Sequence, residues 1–84
     1  MDVKAAAIAL AGNQFVVVLV ELALVNQHGE ADMALETLQQ RFGAPVVLMG
    51  QREDGTPVYY GDENLVQSLR DVSVDEMPWK DYTI

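Results

Sequence analysis

The chain predicts an α+β domain in which a β-β-α unit is written twice: a four-stranded, mostly antiparallel sheet with two helices packed on one face. Three observations carry that expectation. Residues 15–25, FVVVLVELALV, form a long apolar run rich in β-branched side chains. Residues 30–42 set Ala31, Ala34, Leu35, Leu38 and Phe42 at the i, i+3, i+4, i+7 spacing of one helical face. Asp54-Gly55, a short-range hairpin signal, stands between two short apolar segments.

The elements follow in order. Residues 3–10 are apolar and alanine-rich. Alanine favours helix, but the turn residues Ala11, Gly12, Asn13 and Gln14 come directly before the long run. A β-hairpin is therefore expected, with an N-terminal helix as its competitor. After the polar break 26–29 comes the helix of residues 30–42. Glu30 and Asp32 fall in its first turn, where the helix dipole favours negative charge. Gly43 and Pro45 terminate it. Residues 46–49 and 58–60 make a second hairpin, with Pro57 at a strand start or sheet edge because it has no amide hydrogen to donate. Asp62 caps a second helix over residues 63–71, with Leu65, Val66 and Leu69 turned inward. The two halves share this pattern and no obvious residue identity.

Eighty-four residues make one domain, expected over residues 1–72, followed by an irregular tail, 73–84, that docks through Trp79 and Tyr82. There is no cysteine, so disulfides, thiolate metal sites and cysteine nucleophiles are excluded. Thirteen acids stand against five bases, a net charge of −8. Nucleic acid and anionic membrane surfaces are recognised mainly through clustered lysine and arginine. Lys4, Arg41, Arg52, Arg70 and Lys80 are scattered, so neither partner is expected. Residues 5–25 have the length of a membrane span, but Gly12, Asn13, Gln14 and Glu21 interrupt them. The start, with Asp2 beside Lys4, lacks the basic character of a signal peptide. A soluble, cytoplasmic protein is the expectation.

The long run raises a question of cover. In an extended strand Val16, Val18, Val20, Leu22 and Leu24 point one way; Phe15, Val17, Leu19, Glu21, Ala23 and Val25 point the other. Two helices on one face shelter only one set. Exposing a valine or leucine that could be buried forfeits about 1.5–3 kcal/mol. The tail could fold back with Trp79, the helices could lie on opposite faces, or a second copy could stack its sheet here. The sequence favours the last, because a large contiguous apolar patch marks an interaction surface. The expected product is a homodimer formed through a sheet face or edge, with Phe15, Val17, Leu19, Glu21, Tyr59 and Trp79 at the interaction surface.

Other constellations are weaker. Glu21 is expected near a strand end with its carboxylate in solvent, beside Lys4. A perturbed catalytic carboxyl there has no second group to work with. His28, Glu30 and Asp32 are close in sequence, but one histidine and no cysteine make a poor metal set. Residues 52–55 lack the alternating oxygen ligands of a calcium loop. Ser68 and Ser73 stand in no recognisable triad setting, and no phosphate loop, dinucleotide fingerprint or zinc-protease motif occurs. The expectation is an interaction domain that self-associates, with no enzymatic activity, cofactor or metal. The alternatives are an acidic inhibitor or adaptor that meets a basic protein through Glu53, Asp54, Asp62, Glu63, Asp75 and Glu76, and a small-molecule-binding domain centred on Glu21 or Tyr59.

Overall fold

The computed structural model describes residues 2–10 and 12–83. Met1, Ala11 (within the expected turn) and Ile84 (at the end of the expected tail) lie outside the described residues. The chain runs β1 (Asp2–Leu10), β2 (Asn13–Leu19), α1 (Leu22–Asn26), α2 (His28–Phe42), β3 (Val46–Gln51), β4 (Pro57–Tyr60), α3 (Glu63–Leu69), a 3-10 turn (Val74–Glu76) and β5 (Trp79–Thr83). The fold is α+β, as expected. Its sheet has five strands, in the order β4-β3-β2-β1-β5, and is mixed.

Both expected hairpins form: β1 pairs antiparallel with β2, and β3 with β4. Gly55 closes the second at φ 88, and the Asp54 carboxylate accepts a hydrogen bond from the Thr56 amide at 2.9 Å. The hairpins join through a parallel pair, Val16 to Leu19 alongside Val46 to Met49, which corrects the mostly antiparallel expectation. The cause is the crossover. A parallel neighbour requires the chain to return to its starting end, usually through a helix. The 15 residues of α2 span about 22 Å, matching the roughly 23 Å of the seven-residue β2.

The apolar run is also divided differently. It stays extended only to Leu19; Glu21 is the N-cap of α1, and residues 22–26 coil over the sheet. Leucine and alanine at positions 22–24 are good helix formers. Gly50 makes room beneath: a Cβ there would stand 2.9 Å from the Leu22 Cα. Each longer helix keeps one expected end, while α2 starts two residues earlier, at His28, and α3 stops at Leu69 rather than 71. Gly43 terminates α2 in the left-handed conformation at φ 64, and the Asp62 carboxylate caps α3 by accepting from the Asn64 amide at 2.9 Å.

The helices do not share one face. Val16, Val18, Val46 and Leu48 pack with Ala5 beneath Val25, Ala31 and Leu38 of α1 and α2. Phe15, Val17, Val47 and Met49 pack with Ala6 beneath Leu65 and Leu69 of α3 and Met77 of the following segment. The tail is not irregular: β5 adds antiparallel to β1, with Trp79 opposite Ala6 and Thr83 opposite Asp2. Trp79 joins the α3 layer and Tyr82 the α2 layer, so one short strand anchors on both faces. Among the described residues no helix is long and apolar enough to cross a membrane.

Candidate interaction surface

The six residues expected to form an interaction surface do not form one. Phe15 and Val17 are 2 % and 0 % exposed, covered by their own chain. Leu19, Tyr59 and Trp79 are half-buried around the same cluster. The Trp79 indole N–H donates to the Val74 carbonyl at 2.9 Å, fixing the 3-10 turn against β5. These five residues therefore belong to a layer of the core, and no second subunit is needed to shelter the sheet face. Glu21 stands apart from them. It is exposed beyond the end of β2 on the α1 side, whereas Lys4 lines a different cleft with Met49, Val74 and Trp79.

Glu21 lines an open groove of about 800 Å³ at the ends of β2 and β3. Leu19, Val20, Ala23 and Leu24 give it an apolar floor, and Asp2, Glu21 and Glu30 supply three carboxylates. Glu53, Asp54, Asp62, Glu63, Asp75 and Glu76 are all exposed, but on three other segments: the β3–β4 turn, the start of α3 and the 3-10 turn.

His28, Asp32 and Tyr60 meet on the surface. The His28 ring stacks on Tyr60 with centroids 4.9 Å apart, and the Tyr60 hydroxyl donates to the Asp32 carboxylate at 2.6 Å. That bond, with the nearby negative charge, holds the Tyr60 pKa above its ordinary value. Asp32 is thus engaged as a tether between α2 and β4. Among the described residues no three histidine, aspartate or glutamate side chains come together to hold a metal ion. Tyr59, on the other face, has a buried hydroxyl with no hydrogen-bond partner among the described residues. Burial raises its pKa as well.

Sequence reasoning missed the outer part of the first hairpin. β5 reaches along β1 only to Ala6, and β3 along β2 only to Val16. Residues 8–10 and 13–15 therefore pair with each other beyond both neighbouring strands, and Ala7, opposite Val16, lies just past the end of β5. Ala7 and Ala9 are exposed, Ile8 and Leu10 half-buried. A shallow apolar hollow of about 320 Å³ lies along this arm, lined by Ala7, Ile8, Ala9, Phe15, Val16 and Ala44 together with Gln14. The visible signal was the absence of charge: no residue from Ala5 to Val20 is ionisable. No family model, curated protein or solved structure matches the chain.

Proposed function

We propose that the chain is a small cytoplasmic protein-interaction domain that works as a homodimer and has no catalytic activity of its own. The observation that carries this reading is the uncharged arm. In a protein of net charge −8, self-association is least opposed where neither copy brings a carboxylate. The hairpin arm offers such a region, with apolar side chains already partly in solvent. The absence of cysteine fits a reducing compartment. Size-exclusion chromatography with light scattering tests the reading: twice the protomer mass at micromolar concentration is expected, and a monomer throughout rejects it.

The groove at Glu21 favours a second reading, an acidic adaptor for a basic protein. Apolar floor and carboxylate rim would suit a segment that interleaves lysine or arginine with aliphatic side chains. Exposed charges are screened within about 10 Å at 0.1 M salt, so capture of a basic partner would weaken steeply as salt is raised. Homodimers joined through uncharged residues would not.

A further inference from the structure

We infer that the open edge of β1 at residues 7–10 pairs antiparallel with the same edge of a second copy, joining two five-stranded sheets into one continuous sheet. This rests on the homodimer reading and gives that dimer its contact.

An unpaired strand edge is a row of free amides and carbonyls ready to accept another strand, and proteins usually guard such edges with proline or charge. This sheet does so elsewhere. The β4 edge is four residues long and begins at Pro57. The β5 edge exposes Lys80 and Asp81. The free stretch of β2 carries Asn13 and Gln14 and ends where the Val16 amide donates to the Pro45 carbonyl at 2.9 Å. Residues 7–10, Ala-Ile-Ala-Leu, have no proline, glycine or charge. The two outer edges of the first hairpin both lack proline and charge, and of the two only residues 7–10 are apolar throughout.

Symmetry argues for a second copy as the occupant. Two identical strands pair antiparallel about a two-fold axis perpendicular to the sheet, so each face of one copy continues into the same face of the other. With the axis beside Ala9, residues of like orientation meet. Ala9 meets Ala9 on the α2 side, and Ile8 of each copy meets Leu10 of the other on the α3 side. The alanines leave room on the α2 side. The larger side chains extend an apolar cluster that Ile8 and Leu10 already join within each subunit. The strand supplies main-chain hydrogen bonds and these pairs supply the packing.

Ala9 is exposed, so a substitution there removes nothing from the subunit's own core. Light scattering and sedimentation on the full chain would compare the wild type with Ala9→Glu, Ala9→Lys and Met33→Glu, with circular dichroism confirming the fold of each. Met33 is 71 % exposed on α2, away from the arm, and reports the effect of added charge alone. The wild type and Met33→Glu should be dimers. Ala9→Glu and Ala9→Lys should each weaken the dimer about tenfold or more, because like charges face each other across the axis. A wild-type dimer that survives both Ala9 variants overturns the edge contact and leaves the homodimer reading standing. A wild type that stays monomeric at high micromolar concentration overturns both.

Discussion

The two faces of the sheet are built from the same strands and covered by opposite means. Over one lies α2, a continuous 15-residue helix with α1 beside it. Over the other lie pieces: seven residues of α3, a three-residue 3-10 turn and the Trp79 ring. The first cover is organised by periodicity. The second relies on bulk, with Phe15, Met49 and Met77 filling what a short helix leaves open. A small domain can thus dispense with a second long helix if its strands bring larger side chains to that face. At the end of the first hairpin neither edge has a strand beside it, because both neighbouring strands stop short of it.

If both layers are true core, truncation in either should cost several kcal/mol. Phe15→Ala beneath α3 and Leu48→Ala beneath α2 should each lose about 2–5 kcal/mol of unfolding free energy in urea titrations followed by circular dichroism. A Phe15→Ala loss below about 1 kcal/mol would mean that the pieced cover is loose and the two faces are not equivalent.

Gly50 and Gly29 sharpen the α1–α2 side. A Cβ at position 50 meets the Leu22 backbone, so Gly50→Ala should cost about 1–3 kcal/mol by pushing α1 off the sheet. Position 29, in the first turn of α2, has open space around it. Gly29→Ala should gain about 0.4–1 kcal/mol by restricting the unfolded chain. Thermal melts of the two variants should therefore move in opposite directions.

The adjacent tyrosines compare the faces at one strand. The Tyr59 hydroxyl is buried without a partner among the described residues, so Tyr59→Phe should gain about 1 kcal/mol or leave stability unchanged. Tyr60→Phe removes the bond to Asp32 and should lower the melting temperature slightly. Both phenols have folded-state pKa values above 10.0. Below pH 10 their ionisation costs the fold nothing; as pH rises from there through the folded-state values the unfolded chain ionises first and stability is lost. The wild type should therefore weaken in mild alkali more than the Tyr59→Phe/Tyr60→Phe double variant, as melts at pH 8 and about pH 11 would show.

The comparison also explains what could be read in advance. Residues 30–42, with Gly43 and Pro45 behind them, specify a helix by local rules, and Asp54-Gly55 and Asp62 specify a turn and a cap in the same way. Residues 22–25 carry no such rule. Leucine, alanine and valine there fit a strand or a helix, and the Gly50 hollow that receives them lies some 25 residues further along. β5 escaped notice because Trp79 and Tyr82, three apart, bury on opposite faces and so show no period-two alternation. Parallel pairing of β2 with β3 is a matter of strand order, which hydropathy does not encode. The uncharged stretch from Ala5 to Val20 was plain in the sequence. The open edge within it is not legible there, because the point where β5 stops depends on strand order.

Amide hydrogen exchange of the wild type across a concentration series tests most directly whether the chain covers both its faces and leaves one edge for its own copy. In an antiparallel strand alternate residues direct their amides to the same side. Two alternate amides within residues 7–10 should gain protection as concentration rises, while those of Val17 and Leu48 stay equally slow throughout. Exchange at both outward-facing amides that is fast and unchanged at every concentration would contradict the account.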